Sequence, residues 1–147
     1  MRRVGYVILG MLFTAGCAAS SPGKIPSSIP FPPDTKVTAP GPGVPADLAF
    51  FSGKWVGVWD NTLDHVLVVE AINPPNATVI YAWGDSMQWN TRRGSTRVLG
   101  SFENGVLKLS LSRPATATYK PMPDGTLDAL YLWSGGSAKA KLTKVIE

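Results

Sequence analysis

The chain is short of the residues that most chemistry needs. Its 147 residues include one cysteine, Cys17, and one histidine, His65. A single cysteine excludes an intramolecular disulfide. With one imidazole and one thiol, transition-metal ligands are scarce. The carboxylates Asp60, Asp64, Asp85 and Asp124 fall in separate turns, without the dense oxygen spacing of a calcium loop. No apolar run approaches the roughly 20 residues of a membrane-spanning helix. Net charge is a modest +4. Losing Arg2 and Arg3 with an export signal would leave 12 Lys and Arg against 10 Asp and Glu. Neither metal, cofactor nor nucleic acid is expected as a partner.

What is present begins with an address. Arg2 and Arg3 precede an apolar stretch from Val4 to Phe13, and Thr14, Ala15 and Gly16 lead into Cys17. Basic start, apolar core and small-residue exit describe a secretory signal. The segment Phe13-Thr14-Ala15-Gly16-Cys17 resembles the bacterial lipobox, departing from its commonest form at Thr14, where leucine is usual. The resemblance implies a signal peptide over 1–16, cleavage before Cys17, and a diacylglycerol on its thiol. Membrane attachment through that lipid follows. Ala18, in place of an aspartate, implies outer-membrane sorting in a Gram-negative envelope. The alternative is a plain signal cut near Ala18-Ala19.

Residues 17–46 are then expected as the lipidated N-terminus and a tether. Eight of the 13 prolines lie between Pro22 and Pro45. Proline removes backbone donors and favours an extended chain, so a disordered spacer of about 3.1 Å per residue is expected.

From 47 to 147 the sequence predicts an all-β domain: an eight-stranded antiparallel meander, closed or nearly closed into a barrel. Strands are expected near 53–60, 65–72, 77–83, 96–103, 105–112, 115–121, 126–133 and 138–145, between turn-forming residues. Asn104-Gly105 and Asp124-Gly125 are hairpin signals because they tolerate positive φ. Alternation places Trp55, Gly57 and Trp59 on one face, and Leu127, Ala129, Tyr131 and Trp133 on one face. Ala138, Ala140 and Leu142 likewise alternate with Lys139, Lys141 and Thr143.

Gly53-Lys54-Trp55 before such a meander looks like the opening of the calycins, the lipocalins and avidins. The resemblance implies that Gly53 and Trp55 close one barrel end. Lys144 is the positional candidate for the basic residue that covers this tryptophan in lipocalins.

Catalysis finds little support, and no enzyme is expected. Ser86, His65 and Asp85 could supply a hydrolytic triad, but Gly84-Asp85-Ser86 lacks the α/β context and the later Asp-x-x-His of the esterases it resembles. His65 is expected as a partly exposed strand-end residue. Arg92, Arg93 and Arg97 cluster as a solvated loop or a contact for anionic lipid or glycan.

The aromatic concentration is more informative. An eight-stranded barrel is just wide enough to be filled by side chains or to hold one small ligand. Small inward residues, Gly57, Gly100, Ala117, Ala129, Ala138 and Ala140, would leave room. Trp59, Tyr81, Trp83, Trp89, Tyr119 and Tyr131 are candidate ligand-binding residues. Arg92 would offer a charge. The long break at 84–95 would be the binding loop. The expected function is a membrane-anchored envelope lipoprotein whose barrel binds a small apolar or amphiphilic molecule. The alternative is a structural or interaction module contacting an envelope protein or the cell wall.

Overall fold

A computed structural model of the chain describes residues 22–112 and 114–147. Cys17 and the signal lie outside the described residues. A four-residue helix, α1 (Ala46–Ala49), leads into eight strands: β1 (Gly53–Trp59), β2 (Leu63–Asn73), β3 (Asn76–Trp83), β4 (Gly94–Glu103), β5 (Val106–Leu111), β6 (Ala115–Pro121), β7 (Leu127–Trp133) and β8 (Gly136–Lys144). Each pairs antiparallel with the next, and β8 returns to β1 to close the barrel. Closure removes the free sheet edges that would otherwise invite aggregation.

The turns follow their residues. Asn104 and Gly105 take φ 50° and 76°, and Asp60 and Asn61 take 44° and 58°. Paired positive φ values are those a two-residue hairpin needs to match strand twist. At the β6–β7 turn Asp124 accepts hydrogen bonds from the Thr126 N–H (3.1 Å) and hydroxyl (2.5 Å). The β1–β8 seam needs a glycine: a Cβ on Gly57 would meet the Lys141 carbonyl oxygen at 2.6 Å.

Side chains alternate in and out, with one change of phase. A bulge between Val69 and Ala71 inserts Glu70. Val69 points inward before the bulge and Ile72 after it, both joining the core. Gly57 and Gly100 do not leave the expected space. Leu142 occupies the position beside Gly57, and Leu107 and Leu109 the one beside Gly100.

One end is plugged. Phe51 and Trp55 are fully buried, and the Trp55 indole N–H donates to the Phe51 carbonyl at 2.8 Å. Lys144 Nζ lies 5.1 Å from the Trp55 ring and donates to the Phe50 carbonyl at 3.2 Å. Burial lowers its pKa. Trp55 and Lys144 thus stack together at this end of the barrel.

The disordered spacer expected before residue 46 is corrected over 23–38, which form a strap on the barrel wall. Ile29 is buried with Val66, Val68, Ile80 and Ala82 of β2 and β3, flanked by Ile25, Phe31 and Val37. Gly23 N donates to Lys144 O (2.9 Å) and Thr38 N to Glu70 O (2.7 Å). Arg97 of β4 holds the strap by donating through Nη2 to Asp34 at 3.1 Å, and through Nε it donates at 2.7 Å to Glu70 of β2, which in turn accepts from the Lys36 N–H. The prolines remove donors, but the apolar residues between them find an apolar outer wall.

Candidate functional site

At the end opposite Trp55 the barrel is not filled. A cavity of about 210 Å³ opens there. Its wall is aromatic: Trp59 from β1, Tyr81 and Trp83 from β3, Tyr131 from β7, and Trp89 from the loop between β3 and β4. Leu63 and Leu111 add aliphatic surface, and Thr91, Thr96 and Ser112 add hydroxyls. No charged side chain among the described residues lines it.

Inward alternation brings the strand residues together, and the loop supplies the cover. Ser86 and Thr91 exchange backbone hydrogen bonds at 3.0 Å, forming a small hairpin of their own. Asn90 turns it at φ 46°. The Trp89 indole reaches back to donate to Thr62 Oγ1 at 2.6 Å and meets Trp133 edge-on at 5.5 Å. Trp83 is fixed by donating to the Arg92 carbonyl at 2.7 Å. Trp89 therefore lies across the mouth as a tethered lid.

The floor is a polar cluster that the sequence reading missed. His65 is fully buried rather than partly exposed at a strand end. β2 begins at Leu63, so Leu63, His65 and Leu67 share the inward face. Nδ1 lies 2.8 Å from the Ala82 carbonyl, an acceptor only, so Nδ1 carries the proton. Nε2 then accepts from the Tyr119 hydroxyl at 2.8 Å. The ring stacks on Trp59 at 5.1 Å and packs against Tyr81 at 4.4 Å. Burial lowers its pKa to about 4, so the ring is neutral near pH 7. Burial likewise raises the phenol pKa of Tyr81 and Tyr119, so both stay protonated donors.

The remaining candidates divide. Tyr119 lies beneath the cavity with His65, fully buried, instead of lining it. Arg92 contributes its carbonyl to Trp83, while its side chain is not part of the wall. The arginine cluster is dispersed: Arg97 is engaged by Glu70 and Asp34, and Arg93 Nη1 donates to Ser28 O at 3.3 Å. Ser86, His65 and Asp85 do not form a relay. Both His65 nitrogens are engaged elsewhere, Ser86 Oγ accepts from Trp89 N, and Asp85 accepts from Arg93 N. Leu63 was missed because the strand was expected to begin at 65, and Leu111 and Ser112 because they fall at the end of β5 and in the turn after it. Extending the β2 alternation backwards would have found Leu63 and His65.

Among known proteins, no family model and no curated protein matches this chain.

Proposed function

We propose that the chain is a non-enzymatic envelope lipoprotein, lipidated at Cys17, whose barrel binds a small apolar or amphiphilic molecule at its open end. The observation that carries the binding reading is the aromatic cavity under the Trp89 lid. Pockets for drug-sized ligands begin near about 300 Å³, whereas an apolar cavity of about 150 Å³ holds benzene. At about 210 Å³ this one suits a single small ring system. The Lys144 ammonium over Trp55 supports the calycin likeness at the opposite end, although fold alone does not assign function.

The strap alters the anchor. Because Gly23 is bonded to Lys144, only the six links from Cys17 to Gly23 separate lipid from barrel. They span at most about 20 Å, so the domain is held near the membrane rather than tens of ångströms away. The chain climbs from Gly23 at the plugged end toward Ser28 beside Arg93, which favours a mouth turned away from the bilayer.

Native mass spectrometry of the protein purified from membranes tests the binding reading. A co-purified small molecule, lost in Trp89→Ala, is the expected result. An empty barrel with full stability in both would return it to an interaction module facing an envelope protein or the cell wall. Labelling with an alkyne fatty acid, abolished in Cys17→Ser, tests the anchor.

A further inference from the structure

The barrel closes, but one of its seams parts toward the open end. β4 and β5 pair only from Ser101↔Lys108 to Glu103↔Val106, although β4 runs back to Gly94 and β5 on to Leu111. The residues that would continue the ladder do not pair across it. Their main-chain directions follow from the register. Phe102 N donates to Pro75 O on the β3 side, so the alternate residues Ser101, Leu99 and Arg97 turn their N–H and C=O toward β5. Lys108 faces Ser101, and Ser110, two residues on, faces β4 likewise. The main-chain groups of Arg97, Leu99 and Ser110 therefore point into a gap with no strand to satisfy them.

Exposure shows that the gap reaches the cavity. Thr96 pairs with Tyr81 and faces inward with it, yet Tyr81 is buried and Thr96 is exposed. Val98 is half-buried where its partner Val79 is fully buried. Thr96 from one side of the gap, and Leu111 and Ser112 from the other, line the aromatic cavity. Trp89 covers the mouth toward Thr62 and Trp133, leaving the side between β4 and β5 uncovered.

The lining thus divides in two. The rings of Trp59, Tyr81, Trp83 and Tyr131 offer apolar surface within. The gap offers the hydroxyls of Thr96 and Ser112 and main-chain donors and acceptors. An alkyl chain lying there would strip water from those groups and replace none of its hydrogen bonds. A hydroxyl-bearing chain replaces both kinds, because each hydroxyl donates and accepts. Charge finds no counterpart: no charged side chain among the described residues lines the cavity, and the Arg97 guanidinium is held by Glu70 and Asp34.

Resting on the binding reading above, we infer that the ligand is an uncharged amphiphile of the glycoside type, an apolar ring in the aromatic cavity joined to a hydroxyl-rich stem that leaves through the β4–β5 gap.

Phenyl β-glucoside, phenol and isopropylbenzene, each titrated calorimetrically into the intact protein, test this. Apolar burial alone would rank isopropylbenzene first and gain nothing from the sugar. The glucoside is expected to bind about tenfold tighter than phenol, the effect of one or two net hydrogen bonds. In ¹H–¹⁵N spectra the Leu99 and Ser110 amides should shift with the glucoside and stay in place with phenol. A glucoside no tighter than phenol, or an advantage with neither amide moved, overturns the stem inference; binding of phenol or isopropylbenzene then leaves the cavity as a site for small rings. Binding of none of the three overturns the binding reading and this inference with it.

Discussion

Trp55 and Trp59 stand four residues apart on one face of β1, and their indoles meet opposite fates. Trp55 donates to the Phe51 carbonyl under Lys144, in the plugged end. Trp59 is as deeply buried, yet its N–H turns to the Tyr81 side chain instead of a backbone carbonyl, and a cavity begins at its ring. The difference lies in what each end receives from outside the sheet. The plugged end receives α1 and the two phenylalanines after it; Phe51 packs on Phe102 at 5.2 Å and Phe50 on Trp55 at 5.3 Å. The open end receives only a hairpin loop, with Met87 at its tip fully exposed. One end is therefore packed by its own chain, and the other keeps an open aromatic cavity.

The contrast is broken most severely at Trp55. Trp55→Ala removes a fully buried ring, an indole hydrogen bond and the seat of Lys144 together. A loss of about 3–5 kcal/mol is expected in urea unfolding. A loss below about 1 kcal/mol would mean that the plug does not hold the barrel.

Acid reaches the other end through His65. Its folded pKa of about 4 lies below the ordinary 6.5, so the unfolded state binds the proton first. Stability is complete above pH 6.5 and falls as the pH drops toward 4, by on the order of 3 kcal/mol. Chemical denaturation at pH 7 and pH 4.5 measures the fall, and NMR titration of the imidazole assigns it. An imidazole titrating near 6.5 would contradict the buried, neutral ring. Glu70 and Asp34, both lowered chiefly by their bonds to Arg97, add to the loss at still lower pH. The expectation is therefore limited to the window between 4 and 6.5.

A smaller effect tests the wall between the two ends. In Arg97→Ala the strap loses the paired bonds from Asp34 to β4, and Glu70 of β2 loses its arginine, while the strap's apolar contacts remain. Trypsin should cut faster at Lys24 or Lys36, and the Thr38 amide, bonded to Glu70 O, should exchange faster. Unchanged rates would show that Ile29 and its apolar neighbours suffice.

Much of this fold was legible because alternation and turn chemistry agree. Ala138, Ala140 and Leu142 face inward as their spacing indicates, and Asn104-Gly105 turns as its residue types require. Three features were read wrongly or not at all. His65 was placed at a strand end because its neighbour Asp64 suggested a turn, although its spacing from Leu67 and Val69 already put it inside. The strap was read as a spacer because the prolines dominated Ile25, Ile29 and Phe31. The uninterrupted apolar run Val66-Leu67-Val68-Val69 was the missed signal, since such a run marks a strand covered on both faces. The extent of the cavity depends on which small residues are overlaid by neighbours, as at Gly57 and Gly100. That is settled by three-dimensional packing and not by pattern.

The smallest stability effect belongs to the lid, and it sharpens the comparison between the two tryptophan-rich ends. Trp89 is partly exposed, holds one hydrogen bond to Thr62 and touches Trp133 edge-on. The loop that carries it keeps its own Ser86–Thr91 pairing without the ring. Trp89→Ala should therefore cost about 1 kcal/mol or less in unfolding, as expected for a surface contact. The same variant uncovers the cavity, so a bound small molecule should leave faster, a change read in the dissociation rate more than in association. Stopped-flow measurement with an apolar aromatic probe such as isopropylbenzene separates the two. A large stability loss with an unchanged dissociation rate would make Trp89 part of the core and the open end a second plug.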